Sequence, residues 1–283
     1  MTRILVADDD RTTRLLITEI LRHEKYDVIE AADGAAALKK LKSDKIDLAL
    51  VDVWMPKKNG LEVLAALRKT KKRPKVIVMT SDDAPETLLG AIREEAYQYL
   101  AKPIEPKSML ALVRESLRKK SQPLPIEVVS ARPTWVELVV PCSLETAERI
   151  EGFMAHLKGG LSEDIRRSIG QAFHELLLNA VEWGGKLDPK RKVRISYLRA
   201  KRMVLYRIAD PGPGFKFADL EHAAIAHDPA TPTAHDQIRQ SKGLRPGGFG
   251  LLMTQANVDE LLYNEKQNEV VFVKYLDAEN PGG

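Results

Sequence analysis

Hydrophobic residues in the first half of the chain occur in short runs that alternate with segments of helical periodicity. In those segments the apolar side chains recur three and four positions apart, which is typical of amphipathic helices. The short runs lie at residues 3–7, 27–31, 46–51, 75–79 and 97–100. Strands that alternate with such helices form a parallel sheet covered on both faces. Residues 1–120 are therefore predicted to form a doubly wound, five-stranded parallel sheet.

A different pattern follows a break near Ser121. Pro123 and Pro125 cannot continue a helix, so residues 121–132 are predicted to be a short, stiff linker. Beyond the linker, strands and helices no longer alternate strictly, which favours an α+β sandwich over residues 133–279. Its predicted strands lie at 135–141, 192–198, 203–209, 259–263 and 269–276, with capped helices after Ser143 and Ser162 and a short helix at 249–257.

Polar side chains follow four of the predicted strands in the first half. Asp8 and Asp9 come after the first strand, Asp52 after the third, Thr80 after the fourth and Lys102 after the last. The carboxyl ends of parallel strands meet at one edge of the sheet, so these side chains should converge there. Carboxylate oxygens are ligands that Mg²⁺ prefers, and we expect Asp8, Asp9 and Asp52 to hold this ion. A carboxylate beside the ion can attack a phosphoryl group, and an ammonium group can balance the arriving charge.

These residues, together with Met55-Pro56, Tyr99 and the Lys102-Pro103 pair, resemble the motif set of a response-regulator receiver domain. The resemblance covers residues 1–120 and implies a flavodoxin-like fold. It also implies Mg²⁺-dependent phosphorylation of Asp52, with Thr80, Tyr99 and Lys102 as the residues that respond. The donor would be a sensor histidine kinase or a small phosphodonor.

Two motifs in the second half combine polar residues with defined elements. Glu175 and Asn179 are four residues apart on a predicted helix and therefore share one face. An asparagine oxygen can complete a Mg²⁺ shell, and a neighbouring glutamate can accept a proton. Asp210 follows a strand and precedes Gly212 and Gly214, which allow the backbone to approach a flat ligand closely. The Asp210 carboxylate could accept a hydrogen bond from an exocyclic amine such as that of adenine.

A third motif is a glycine-rich turn that leads into the helix predicted at 249–257. It contains Gly247, Gly248 and Gly250. Free N–H groups at the start of a helix are suited to binding phosphate. A long loop, residues 211–247, separates most of this motif from the preceding one.

Together the three motifs resemble the N, G1 and G2 boxes of the Bergerat-fold (GHKL) ATPases. The narrower likeness is to the anti-sigma-factor serine/threonine kinases, at Val139-Val-Pro141, Gly160-Leu-Ser-Glu-Asp164 and Glu175 to Ala180. The resemblance implies that Asn179 is a Mg²⁺ ligand, that residues 211–247 form an ATP lid, and that Glu175 is the catalytic base. It assigns ATP binding to Asn179, Asp210, Gly212, Gly214, Gly247, Gly248 and Gly250. The long lid, and Trp183 where histidine or tyrosine is commoner, depart from the pattern and leave the substrate open.

Three functions are compatible with this combination. The first is a receiver-controlled serine/threonine kinase that acts on an anti-anti-sigma-type protein and could also sequester a sigma factor. The second is a histidine-kinase-type catalytic domain, since His174 to Ala180 also resembles one kinase subgroup. Because no histidine lies between Lys120 and Trp135, its acceptor histidine would be on a separate partner. The third is a non-catalytic module that binds and sequesters a partner.

Length and composition indicate the number of domains and the cellular compartment. A chain of 283 residues corresponds to about two domains. A single cysteine, Cys142, fits a reducing compartment. No apolar run approaches the ~20 residues needed to span a bilayer. We therefore expect a cytoplasmic protein that does not bind membranes. The basic run 68–75 lacks interleaved aromatic residues, and no helix-turn-helix pattern follows it, so direct DNA binding is not expected. A homodimer is left open.

Overall fold

The computed structural model describes residues 2–68, 70, 73–81, 84–118, 124–132, 134–157, 160–215 and 250–276. The chain divides into two compact units, Met1–Pro125 and Ile126–Gly283. Among the described residues, no helix has the length and apolar character needed to cross a membrane.

The first unit alternates strands and helices. Its strands are β1 (Arg3–Ala7), β2 (Asp27–Ala31), β3 (Leu48–Asp52), β4 (Lys75–Thr80) and β5 (Gln98–Ala101). Its helices are α1 (Arg11–His23), α2 (Gly34–Ser43), α3 (Gly60–Arg68), α4 (Pro85–Arg93) and α5 (Pro106–Arg118). The strands form a parallel sheet in the order β2-β1-β3-β4-β5. The predicted fold class is confirmed, and each strand ends within two residues of its predicted position.

Burial explains why the sequence pattern of this unit is so clear. Every residue of β3 and β4 is buried, as expected for central strands covered by helices on both faces. The polar residues of these two strands, Asp52, Lys75 and Thr80, accordingly lie at strand ends. Because all five strands are parallel, the residues that follow β1, β3, β4 and β5 are brought to the same edge.

The second unit is built on a six-stranded antiparallel sheet. Its strands are β6 (Glu127–Arg132), β7 (Trp135–Pro141), β8 (Lys192–Arg199), β9 (Met203–Ala209), β10 (Glu260–Tyr263) and β11 (Glu269–Tyr275). They are arranged in the order β10-β11-β9-β8-β7-β6. The helices are α6 (Leu144–His156), α7 (Glu163–Asn179) and α8 (Gly250–Asn257), and a π-helical turn (Ala180–Gly184) extends α7.

The core of the second unit lies between one face of this sheet and α7. Tyr197 and Tyr206, on neighbouring strands, have ring centroids 5.0 Å apart. Tyr206 also stacks on Phe272 of β11 at 4.9 Å and contacts Phe173 of α7 at 5.1 Å. All four rings are fully or almost fully buried. This aromatic cluster fixes α7 against the sheet and so positions the helix that carries Glu175 and Asn179.

Residues 127–132, which the sequence assigns to the linker, form the edge strand β6. The strand pairs with β7 and has a register irregularity between Val128 and Ser130. Most of its residues are exposed or half-buried, so it lacks the alternating apolar pattern of a strand with one buried face. Only its pairing with β7 identifies it as a strand.

Candidate functional sites

Three carboxylates converge at the carboxyl edge of the first sheet. One oxygen each from Asp8, Asp9 and Asp52 lies within 4.8 Å of the others. Asp8 and Asp52 are buried, whereas Asp9 is exposed. The Lys102 ammonium lies 2.8 Å from Asp8 Oδ2 and 3.0 Å from Asp52 Oδ1. Three carboxylates against one ammonium leave excess negative charge, which suits a divalent cation.

Backbone contacts hold these side chains in place. Asp10 N donates to Asp8 Oδ1 at 3.0 Å, and Lys102 N donates to Thr80 O at 2.8 Å. A Cβ on Gly60 would lie 2.3 Å from Asp52 O, so only glycine allows α3 to begin so close to β3. Thr80 and Tyr99, predicted as switch residues, are both buried on β4 and β5.

Burial changes the protonation of the cluster. It raises the pKa of Asp52 to about 6; Lys102 opposes this rise, and the charges of Asp8 and Asp9 add to it. Burial alone would lower the pKa of Lys102, but hydrogen bonds to Asp8 and Asp52 outweigh it and raise the pKa. At neutral pH the site therefore holds a charged lysine and a largely ionised Asp52.

This pKa predicts a pH dependence of stability. Without a bound cation, folded Asp52 binds its proton more tightly than unfolded Asp52, whose pKa is near 3.8. Its contribution to stability is therefore fully present below about pH 4 and is lost as pH rises through about 6. The loss should be on the order of 2 kcal/mol. Urea unfolding in EDTA between pH 4 and 7 tests this, with Asp52→Asn as control. Parallel pH profiles for the two proteins would contradict the prediction.

The second site is centred on Asp210, which follows β9. Asp210 Oδ1 accepts a hydrogen bond from Gly212 N at 2.6 Å. A Cβ on Gly184 would lie 2.2 Å from that oxygen, and one on Gly212 would lie 2.6 Å from it. The carboxylate thus packs directly against these two glycines, and a side chain at either position would collide with it. Burial raises the pKa of Asp210, and the Gly212 N–H and Arg191 partly offset the rise.

The turn between β10 and β11 supports this loop. Asp210 N donates to Asn268 O at 2.9 Å, and Asn268 Nδ2 donates to Gly212 O at 3.2 Å. Gly214 has a φ of +84°, and a Cβ there would lie 1.5 Å from Lys266 O. The glycine is therefore required both by its backbone conformation and by this close approach.

Glu175 and Asn179 lie on α7, beside the other two motifs. Asn179 is the last residue of α7, and the π-helical turn that follows carries Gly184 to Asp210. A Cβ on Gly250, the first residue of α8, would lie 2.2 Å from Glu175 Oε2. The structure therefore brings parts of all three motifs to the C-terminal end of α7. Gly247, Gly248 and residues 216–247 of the predicted lid lie outside the described residues.

Several residues around Asp210 were not assigned to the site from the sequence. Gly184 and Gly185 are two of them, and a Cβ on Gly185 would lie 2.3 Å from Cys142 Sγ. Cys142 is buried beside this turn, and burial raises the pKa of its thiol to about 11, so the thiol is protonated. Arg191 donates to Pro211 O. The sequence signal for this part of the site is the Gly184-Gly185 pair, but such a pair also commonly ends a helix.

Comparison with known proteins finds a family match in each half of the chain. Residues 4–114 match the family model of the response regulator receiver domain, and residues 141–274 match that of the histidine kinase-like ATPase domain. The DNA-binding response regulator MtrA of Mycobacterium tuberculosis is 31% identical over 202 residues, which cover 70% of this chain and 87% of MtrA. The chain belongs to the response-regulator family.

Other response regulators match less than half of the chain. The transcriptional regulatory protein CpxR of Escherichia coli is 41% identical over 119 residues, 42% of this chain and 50% of CpxR. The chain thus spans half the length of that relative. A CheY-like receiver domain from Methanospirillum hungatei is 30% identical, with a TM-score of 0.41, over 42% of this chain and 94% of that one.

The family matches confirm the two domains predicted from the sequence, a receiver and a histidine kinase-like ATPase. The combination implies a response regulator whose signalling is controlled by phosphorylation. The DNA binding that the name of MtrA states is a property of MtrA and is not assigned to this chain.

Proposed function

We propose that Asp52 of this response regulator accepts a phosphoryl group, and that this modification controls an ATP-binding second domain that acts on a partner protein. The proposal rests on the cluster of Asp8, Asp9 and Asp52 around Lys102. The same chain also has the Asp210 carboxylate packed against Gly184 and Gly212.

The acidic cluster fits Mg²⁺, because it offers carboxylate oxygens from three residues within a few ångströms. Asp8, Asp9 and Asp52 would hold the ion, which would neutralise charge on the incoming phosphoryl group. An Asp52 oxygen attacks phosphorus, the bond to the donor's leaving group breaks, and an acyl phosphate forms. The Lys102 ammonium, already 3.0 Å from Asp52, balances the charge that arrives, and Thr80 and Tyr99 respond to it. A sensor histidine kinase or a small phosphodonor would supply the group.

The second domain fits ATP, because Asp210 is a half-buried carboxylate against which the backbone at Gly184 and Gly212 packs directly, as a site for a flat ligand requires. Asp210 would accept a hydrogen bond from the adenine amine, and Asn179 would complete the shell of a Mg²⁺ ion bound to the phosphates. Gly214 shapes the loop, and Gly247, Gly248 and Gly250 would approach the phosphates. Glu175, at the same end of α7, would take the proton from the attacking hydroxyl of the substrate.

Within this proposal the partner is an anti-anti-sigma-type protein phosphorylated on serine or threonine, and a sigma factor is a further binding partner. The support is the likeness at 139–141, 160–164 and 175–180 to anti-sigma-factor kinases. The structure places Pro141 at the end of β7, and Ser162 caps α7 by accepting from Ile165 N at 3.4 Å.

A histidine-kinase-type activity is the second candidate. It is favoured by the match to the histidine kinase-like ATPase model and by His174, which is adjacent to Glu175. Its acceptor histidine would be on a separate protein. A non-catalytic domain that sequesters its partner is the third candidate.

One labelling experiment separates these activities. The intact chain is incubated with γ-labelled ATP, Mg²⁺ and candidate partner proteins, with Glu175→Gln as the control. Acid-stable label on a partner serine or threonine supports the first activity. Label that is acid-labile but alkali-stable indicates a partner histidine. Binding without any label supports sequestration and contradicts both kinase assignments.

Coupling between the two domains gives a further prediction. Beryllofluoride with Mg²⁺, a mimic of the phosphoryl group, should change ATP affinity or kinase rate of the intact chain. Coupling free energies of about 1–3 kcal/mol correspond to changes of roughly 5- to 150-fold. The same addition to Asp52→Asn should have no effect. If the unsubstituted chain is equally unresponsive, Asp52 does not control the second domain.

A further inference from the structure

Arg14, on α1, contacts the backbone of the acidic pair. Its Nη1 donates to Asp8 O at 2.6 Å and lies 3.4 Å from Asp9 O. The side chain is only 13% exposed, and its bond to Asp8 O is partly buried. One guanidinium group therefore holds the carbonyls of both residues whose carboxylates line the proposed cation site.

The other side of the guanidinium is anchored to β2. Arg14 Nε lies 3.6 Å from Glu30 Oε2, while Arg22, two turns further along α1, lies 3.3 Å from Glu30 Oε1. Lys40 donates to the Glu30 carbonyl. A planar guanidinium with several fixed donors can bridge a carboxylate and two carbonyls, which a lysine ammonium on a flexible stem does less well.

The two aspartates depend on this anchor to different degrees. Asp8 has other restraints, since its carboxylate accepts from Asp10 N and pairs with Lys102. Asp9 has an exposed side chain, so the direction of its carboxylate depends on the backbone of the turn between β1 and α1. Arg14 binds that turn at two successive carbonyls.

We propose that Arg14 is a positioning residue for the divalent cation site: it fixes the β1–α1 turn so that Asp8 and Asp9 present their oxygens to Mg²⁺. This inference rests on the proposed function of the acidic cluster. Two effects of Arg14 oppose each other, because its positive charge repels a cation while its hydrogen bonds order the ligands. Glu30 compensates the charge, whereas partners that orient metal ligands typically contribute 10- to 100-fold in affinity. The positioning effect should therefore dominate.

The test is a Mg²⁺ titration of the intact chain, in a Trp135→Phe, Trp183→Phe background. Binding is followed by the fluorescence of Trp54, which lies two residues after Asp52. Arg14→Met removes the charge and the hydrogen bonds, whereas Arg14→Lys keeps the charge but lacks the several fixed donors of the guanidinium group. Both should raise the Mg²⁺ dissociation constant about tenfold. Arg22→Met is the matched control: it removes a cation from the same helix and the same Glu30, and should change the constant less than twofold. Thermal unfolding in EDTA verifies that each variant is folded.

A kinetic readout separates positioning from general damage. With acetyl phosphate as donor, the Arg14 variants should need more Mg²⁺ for half-maximal phosphorylation of Asp52, yet reach a near-normal rate at saturating Mg²⁺. Tighter Mg²⁺ binding by Arg14→Met with no change in Arg14→Lys would show that charge alone matters and would overturn the proposal. An equal loss in Arg22→Met would overturn it too. If Arg14→Met does not fold, the Mg²⁺ dissociation constant of Arg14→Lys alone tests the proposal. A different result would contradict the proposed function of the cluster itself: either the unsubstituted chain does not respond to Mg²⁺, or Asp52→Asn responds in the same way.

Discussion

Asp52→Asn should abolish phosphorylation of the chain by acetyl phosphate in the presence of Mg²⁺. An amide lacks the nucleophilic carboxylate oxygen that forms the acyl phosphate, and it removes one anionic ligand of the proposed cation site. Asp8 should not substitute for it, because both of its oxygens already have partners: Asp10 N donates to Oδ1, and the Lys102 ammonium lies 2.8 Å from Oδ2. The expected loss is complete, and mass spectrometry of the intact chain measures it directly.

Asp10→Asn is the matched control for this loss. Asp10 belongs to the same acidic run, but its side chain caps α1 by accepting from Thr13 N at 2.7 Å. Asparagine is an equally good N-cap, so this variant should stay folded and be phosphorylated normally. Undiminished, hydroxylamine-sensitive label on Asp52→Asn would show that another residue is the acceptor.

Asp210→Asn should weaken ATP binding by the intact chain ten- to a hundredfold. Asparagine can still accept the Gly212 N–H through its oxygen, which leaves its NH₂ group facing the place where the adenine amine would donate. Losing a hydrogen bond to a charged group costs about 1.5–3 kcal/mol, and each ~1.4 kcal/mol is tenfold in affinity. The fold should tolerate the change, because burial already raises the pKa of Asp210 and so disfavours its charge. Calorimetry with ATP and Mg²⁺ measures the effect.

Asp188→Asn serves as the comparison for Asp210. It makes the same chemical change nearby, at a residue whose carboxylate accepts from Lys190 N at 2.9 Å in an exposed turn. Its ATP affinity should match that of the unsubstituted chain. If both variants bind ATP equally well, Asp210 does not contact the base.

Much of the first domain follows directly from its sequence. The runs that form β1, β3, β4 and β5 are apolar because these strands are mostly buried, and each run ends in, or is followed by, a polar residue at the edge of the sheet. Parallel topology then places Asp8, Asp52, Thr80 and Lys102 at one edge, without any information about individual contacts. The spacing of Glu175 and Asn179 likewise determines that they share a helix face.

The tertiary structure decided what depends on contacts between distant segments. The edge strand β6 is recognisable only through its pairing with β7, because its exposed residues carry no hydrophobic period. The raised pKa of Asp52 results from burial by several elements together. The distances in the Gly184–Asp210 and Gly250–Glu175 approaches, and the hydrogen bond from Arg14 to Asp8 O, are not specified by any local sequence pattern. Local patterns record which residues are buried, whereas close approaches are set by how the buried surfaces pack.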